Sequence, residues 1–220
     1  MKILSLFLPA ALVLTVFACS DDDTESVPTT PTNDAGSTAD ASTTPPTQDD
    51  ASTPEADSGP DDGSTATFAI TAPWAQGAAI PVTYVCTREG GNNGSPALSW
   101  TGAPAGTQSF AIVMRDESLA QANNYHWVLW DMPAATTALA ANLPQTATLT
   151  TPAGARQTKW SFGNELGYSG PCPPNAHDYR ITLHALNATL GALANNPETA
   201  DVAIQAASIA SVSVVGTFTP

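Results

Sequence analysis

The sequence predicts a mainly β domain over residues 67–220, an antiparallel sheet with a few short helices. Short stretches rich in Val, Ile, Phe, Tyr and Trp recur along this part of the chain, and Gly, Pro and Asn separate them, as in strands joined by turns. One Ala-rich stretch has helical character. No internal repeat interrupts the pattern, and the segment is long enough for one compact domain with a core.

The predicted elements follow in chain order. The helix is expected at residues 197–211, an Ala-rich stretch that also contains Val202, Ile204 and Ile209. Alternating apolar positions and flanking turn residues predict seven strands. The strands are expected at residues 68–71, 80–85, 97–100, 109–114, 126–131, 179–187 and 212–218.

Residues 1–19 have the pattern of an export signal. Lys2 precedes an apolar run that ends at small residues before Cys19, and the run is too short for a spanning helix. The stretch from Val16 to Cys19 resembles a bacterial lipobox, in which the cysteine is lipidated, although Phe17 is bulkier than usual there. We therefore expect an exported lipoprotein of the cell envelope; a secreted protein cleaved nearby is the alternative.

Residues 20–66 are predicted to be a disordered tether. They consist almost entirely of Asp, Thr, Ser, Pro, Ala and Gly, with twelve acidic residues and no basic one. Such a segment cannot bury enough apolar surface to offset the entropy of ordering it. The tether accounts for most of the chain's net charge of −14, and the remaining domain is nearly neutral. Nucleic-acid binding is not expected, because the domain has no basic patch.

Two stretches about fifty residues apart carry the chemistry, Asn123 to Pro133 and Tyr168 to Arg180. Each sets a histidine beside aromatic residues at the start of a predicted strand, and the second adds a Gly-Pro-rich loop whose backbone amides could face a ligand. Imidazole N–H groups, a phenol O–H and free amides are the donors that a phosphate or carboxylate needs. Together the stretches predict an anion pocket at one end of a sheet.

Strand alternation predicts how these side chains point. His177 and Tyr179 share one face, while His184 lies on the other face and is expected to be structural. On the earlier strand, the same rule places His126 on the face of Val128 and Trp130.

The motif order resembles the phosphatidylethanolamine-binding protein family, in its bacterial Raf-kinase-inhibitor-like branch. The resemblance covers roughly residues 67–220 and implies a large antiparallel sheet, a smaller second sheet and an anion-binding cavity. The matching stretches are Ile80-Pro-Val-Thr-Tyr-Val-Cys86, Ser95-Pro-Ala-Leu-Ser-Trp100, Gly106-Thr-Gln-Ser-Phe110, His126-Trp127, Met132-Pro133, Tyr168-x-Gly-Pro-Cys-Pro-Pro174 and His177-x-Tyr179.

The resemblance also assigns site residues. In relatives the cavity wall holds two histidines, a tyrosine, a Gly-Pro loop and an Asp-Pro-Asp motif. The matching positions are His126, His177, Tyr179, Gly170, Pro171 and Pro173.

The Asp-Pro-Asp motif is where this chain departs from the family. Arg115, Asp116 and Glu117 occupy its positions, so the acidic role is expected at Asp116 or Glu117. An acidic neighbour would raise a histidine pKa and hold one ring nitrogen in place. Arg115 could strengthen anion binding if it turned inward, or be a surface cation.

Cys86 and Cys172 remain once Cys19 is assigned to the anchor. Two leftover cysteines in an exported chain suggest a disulfide, and a buried thiol is the alternative. The sequence does not establish that their Cα atoms come within bonding reach.

Three functions are compatible with these residues. The first is a membrane-tethered, non-enzymatic domain that binds a small anion or a phospholipid headgroup without a cofactor. The second is a metal-dependent or acid–base hydrolase using His126, His177 and a carboxylate of Asp116 or Glu117, because two histidines and one carboxylate could bind zinc. No H-E-x-x-H or nucleophile-elbow pattern appears, however. The third is an inhibitor of a protease or kinase, as some relatives are.

Overall fold

The computed structural model describes residues 66–119 and 124–220. The predicted signal, Cys19 and nearly all of the predicted tether lie outside these residues. The structure contains one α-helix, nine strands and two short 3₁₀ turns in its described part. The strands are β1 (Ala69–Thr71), β2 (Ala78–Ala79), β3 (Leu98–Thr101), β4 (Ser109–Asp116), β5 (Tyr125–Pro133), β6 (Ala138–Leu139), β7 (Arg156–Gln157), β8 (His177–Leu186) and β9 (Ser208–Phe218); the helix is α1 (Pro197–Ala207), and the turns are Val82–Tyr84 and Thr87–Glu89.

Two sheets form the domain, as expected. The large sheet has the strand order β2-β9-β8-β4-β5-β7, and the small sheet has the order β1-β3-β6. The long strands of the large sheet pair antiparallel, and the two-residue β2 pairs parallel with β9. The mainly β fold class is confirmed.

The two faces of the large sheet pack against different partners. One face, with Trp127 and Leu183, packs against the small sheet, which contributes Trp100 of β3. The other face, with Val113 and Trp130, packs against the buried side of α1. Burial of both faces explains why β4 and β5 are almost continuously apolar rather than alternating.

The strand order brings two strand starts together. β5 and β8 lie on either side of β4, and both run antiparallel to it. The first residues of β5 and β8 therefore meet the last residue of β4, Asp116, at one edge of the sheet. His126 and His177 lie at this edge.

Two expectations about elements are corrected, and three short strands are additional. Residues 80–85 form a 3₁₀ turn over Val82–Tyr84 instead of a strand, because Pro81 cannot donate to a ladder and turns the chain. The helix expected to reach residue 211 ends at Ala207, where the chain enters β9 and pairs with β8. The two-residue strands β2, β6 and β7 were not predicted, since so short a segment carries no periodic pattern.

The helix α1 begins at a capping residue. The side chain of Asn196 accepts a hydrogen bond from the Thr199 amide at 2.8 Å, and Pro197 occupies the first turn, where a missing N–H is harmless. No helix in the described residues is long and apolar enough to cross a membrane.

Candidate functional site

A cavity of about 320 Å³ opens at the edge of the sheet where β4, β5 and β8 meet. Five of the predicted site residues line it: Asp116, His126, Pro173, His177 and Tyr179. The other lining residues are Arg88, Leu119, Trp160, Phe162, Cys172 and Pro174.

A β-bulge turns His126 toward this cavity. Arg115 pairs with Tyr125 and Met114 with Trp127, so His126 has no partner across the ladder. Such an extra residue reverses the alternation of the strand. The expectation that His126 shares a face with Val128 and Trp130 is therefore wrong. Tyr125 packs on that face instead.

The two histidines lie on either side of Tyr179. The centroid of the His126 ring lies 5.1 Å from that of Tyr179 in an edge-on arrangement, and the His177 ring centroid lies 6.3 Å away. His177 and Tyr179 point to the same side of β8 together with Ile181, as alternation predicts. Asp178 between them is exposed.

Asp116 is buried and organises the cavity wall. Its carboxylate accepts hydrogen bonds from His177 Nδ1 at 2.7 Å and from the Ser118 amide at 2.9 Å. The Tyr179 hydroxyl is also hydrogen-bonded to it. Burial and the Asp116 charge together raise the pKa of Tyr179, so the phenol stays protonated.

His126 is buried and held by the backbone. Its Nδ1 lies 2.8 Å from the Ser169 carbonyl oxygen, and because a carbonyl can only accept, Nδ1 carries the proton. Burial lowers the pKa of His126, and the Ser169 carbonyl and the Asp116 charge oppose that shift only in part. The neutral ring therefore has an unprotonated Nε2.

Two amides of the Gly-Pro loop, those of Gly170 and Cys172, are not free as predicted. The Gly170 amide donates to Asn93 Oδ1 at 2.6 Å, and the Cys172 amide is hydrogen-bonded to the Tyr179 hydroxyl oxygen. Pro171 and Pro173 have no N–H to donate. Gly170 and Pro171 do not line the cavity; Gly170 lies against the backbone of Tyr84. The loop contributes shape through Pro173 and Pro174.

A disulfide joins this loop to the short segment between the two 3₁₀ turns. Cys86 and Cys172 are bonded, with their Cα atoms 5.5 Å apart, which resolves the alternative between a bridge and a buried thiol. The Cys86 amide donates to the Pro171 carbonyl at 3.0 Å, and the Tyr168 hydroxyl donates to the Tyr84 carbonyl at 2.8 Å.

Glu117 and Arg115 lie outside the cavity. Both line a groove on the opposite face of the sheet. The Glu117 carboxylate accepts from Arg180 Nη2 at 2.9 Å, and Arg115 Nε donates to Asn124 Oδ1 at 2.8 Å. Consecutive strand residues point to opposite faces, so only Asp116 of this trio can reach the histidines. We correct the expectation for Glu117 accordingly.

Sequence reasoning missed Arg88 and Phe162 as cavity residues. Arg88 lies on the 3₁₀ turn after Cys86 and donates from Nη2 to the Cys172 carbonyl at 2.6 Å. The position of Arg88, two residues after Cys86, indicates a place in the cavity only once Cys172 is known to be the disulfide partner of Cys86. Phe162 is 52% exposed beside Trp160, with ring centroids 5.6 Å apart.

The described residues contain one group of possible metal ligands, Cys86, Glu89 and Cys172. Both cysteines are in the disulfide, so neither offers a thiolate. His126, His177 and Asp116 do not form such a group within residues 66–119 and 124–220.

Curated proteins similar to this chain are UPF0098 proteins. The chain is 38% identical over 112 residues to the one from Methanothermobacter thermautotrophicus, covering 50% of this chain and 70% of the relative. It is 36% identical over 103 residues to the one from Aquifex aeolicus, covering 47% of this chain and 56% of the relative. The aligned stretch therefore spans little more than half of the second relative's length.

Solved structures agree in fold. YbcL from Escherichia coli, described as a member of the mammalian PEBP family, superposes with a TM-score of 0.63 at 26% identity, covering 70% of this chain and 98% of that one. A phosphatidylethanolamine-binding protein homologue from Chlamydia trachomatis superposes with a TM-score of 0.55 at 25% identity, covering 69% and 96%. A sequence profile of the family described as "Phosphatidylethanolamine-binding protein" matches residues 70–219. The chain belongs to the phosphatidylethanolamine-binding protein family.

Proposed function

We propose that residues 67–220 form a non-enzymatic binding domain whose cavity takes a small anion, either free phosphate or the phosphate of a headgroup. Membership in a family named for binding supports the general class. The observation that carries the anion proposal is the convergence of His126, His177 and Arg88 on one cavity. These are the side chains there that are cationic or can become so.

The hydrogen-bond pattern makes binding depend on protons. His126 and His177 each direct Nδ1 to a protein acceptor, and the Tyr179 hydroxyl is bonded to Asp116. A neutral imidazole bonded in this way has only an acceptor at Nε2. An anion in the cavity therefore favours proton uptake by a histidine, which turns Nε2 into a donor. We expect the affinity for a phosphate diester, whose single charge does not change with pH in this range, to rise as the pH falls from 8 to 6.

Isothermal titration of the full chain with inorganic phosphate and with phosphoethanolamine tests this proposal. His177→Ala and His126→Ala should each weaken binding by at least about tenfold, because a charge-assisted hydrogen bond is lost. His184→Ala is the matched control, since His184 lies on the opposite face and bonds Ser208 Oγ at 3.1 Å.

Parental affinity in both cavity variants would overturn the proposal. Stoichiometric zinc in the purified chain, removed by the same two substitutions, would instead favour a metal-dependent hydrolase.

We also propose that the chain is a lipoprotein of the bacterial cell envelope, tethered through Cys19. The support is the sequence alone: the apolar run, the lipobox-like stretch and the acidic segment after it. In this arrangement the binding domain stays near a membrane that contains phosphorylated headgroups. Membrane fractionation of a Cys19 variant tests this part of the proposal.

A further inference from the structure

Arg88 stands apart from the other polar side chains of the cavity. It is the one permanent cation among the described residues that line it. Its side chain is 65% exposed, which places the guanidinium at the mouth, whereas His126 and His177 are buried.

Arg88 also has an N–H group that is not used within the described part of the protein. Its Nε donates to Glu89 Oε1 at 3.0 Å and its Nη2 to the Cys172 carbonyl at 2.6 Å. Its Nη1 donates to no residue within 66–119 or 124–220. The side-chain N–H and O–H groups of His126, His177 and Tyr179 are directed to protein acceptors when the rings are neutral. Trp160 Nε1 donates to Glu165. When both imidazole rings are neutral, Arg88 therefore supplies the side-chain donor that an anion meets without proton uptake.

The disulfide determines where this guanidinium lies. Arg88 follows Cys86 by two residues, and the carbonyl that anchors it belongs to Cys172. The Cys86–Cys172 bond thus ties together both the backbone that carries Arg88 and the acceptor that orients it. A long, exposed arginine side chain would otherwise lose much rotamer freedom on contacting a ligand.

We infer that Arg88, positioned by the Cys86–Cys172 disulfide, determines the charge selectivity of the cavity. The inferred preference is for doubly charged phosphate monoesters over the singly charged phosphate diesters of intact lipids. Coulomb attraction to a fixed guanidinium scales with ligand charge, and a monoester has three terminal oxygens to share among Arg88 and the two histidines. This inference rests on the proposed function, because it concerns the same cavity.

The test compares phosphoethanolamine, a monoester, with glycerophosphoethanolamine, a diester, by isothermal titration of the full chain at pH 7.5. The monoester is then largely a dianion, because its second pKa is about 6. Arg88→Gln should weaken monoester binding about fivefold and diester binding about twofold, in the range of a partly exposed charge pair. Arg156→Gln is the matched control, since that arginine is partly exposed on β7, outside the cavity.

A second comparison tests the positioning. The double variant Cys86→Ser with Cys172→Ser should lose monoester affinity to the same extent as Arg88→Gln, and adding Arg88→Gln to it should cause no further loss. Near-UV circular dichroism establishes that the fold is retained. If the double variant does not fold, the comparison of Arg88→Gln with Arg88→Lys decides: lysine should retain part of the monoester preference.

The outcomes separate the two proposals. If the parent binds neither ligand, or if His126→Ala and His177→Ala both bind as the parent does, the proposed function fails. If His177→Ala abolishes binding but Arg88→Gln leaves the ratio of monoester to diester affinity unchanged, the anion site stands and the role of Arg88 is overturned. A parental preference for the diester overturns it as well.

Discussion

At the scale of single residues, the cavity depends on Asp116. One buried carboxylate accepts hydrogen bonds from His177 Nδ1, the Ser118 amide and the Tyr179 hydroxyl. Asp116 thereby orients His177 and also Tyr179, which lies between the two histidines. His126 is held independently, by the Ser169 carbonyl. The two histidines are thus oriented by different parts of the chain.

Burial of His126 predicts acid sensitivity of the fold. Its folded pKa lies below the ordinary value of 6.5, so the unfolded chain binds the proton more readily. Stability is therefore unaffected above that value and falls as the pH drops below 6.5, by at most about 1.4 kcal/mol per pH unit for one group. Burial lowers the pKa of His184 as well, with the same sign.

Urea denaturation between pH 7.5 and 5 in phosphate-free buffer measures this effect. His126→Gln should make the free energy of unfolding less dependent on pH than in the parent, and added phosphate should have a similar effect by stabilising the protonated ring. An identical pH dependence in the parent and the variant would show that His126 does not contribute.

At the scale of elements, the bulge in β5 and the Gly-Pro loop shape the site. The bulge adds one residue, which moves His126 from the helix-facing side of the sheet to the side of Tyr179. Sequence alternation cannot show an inserted residue, since a bulge is defined by the partner strand. The loop was identified from its residues, but its Gly170 amide bonds within the protein because the neighbouring segment supplies Asn93.

Gly170 allows the loop to approach the backbone of residues 84–86 closely. A Cβ at this position would lie 2.5 Å from the Tyr84 carbonyl oxygen and 2.8 Å from the Cys86 amide nitrogen. Because these are backbone atoms, they cannot rotate away, and we expect Gly170→Ala to destabilise the domain by about 1–3 kcal/mol. We also expect weaker phosphate binding, since Pro173 and Arg88 would move.

The contrast is Gly94→Ala, whose Cβ would meet the end of the Asn142 side chain, which can rotate away. Chemical denaturation of both variants checks the prediction. Equal stability of Gly170→Ala and the parent would show that the loop can shift without cost.

At the scale of the whole molecule, the large sheet separates two unlike faces. The edge cavity contains the histidines and Asp116, while the opposite groove contains Arg115, Glu117 and His184. The low isoelectric point of the chain, about 4.1, arises mainly from residues 20–66 and says little about either face.

Tethering through Cys19 predicts where the whole chain is found. In a Gram-negative bacterial host, the parent should fractionate with membranes and be released only by detergent. Cys19→Ser should appear in the soluble fraction or as an uncleaved precursor, while Ser20→Ala should remain cleaved and membrane-bound, because a small residue is retained there. A Cys19→Ser variant that is still cleaved and membrane-bound would contradict lipidation.

The sequence by itself determined the fold class, most of the long strands and the two histidines of the cavity. These depend on local patterns: β-branched and aromatic runs, turn residues, and motifs in family order. Only the tertiary structure decided that His126 faces Tyr179, that Glu117 faces away, that the Gly170 amide is occupied, and that Arg88 reaches the cavity across the disulfide. Each of these depends on which residue lies opposite in space. Contacts between distant segments leave no local pattern in the sequence; Cys86 and Cys172, for example, are 86 residues apart.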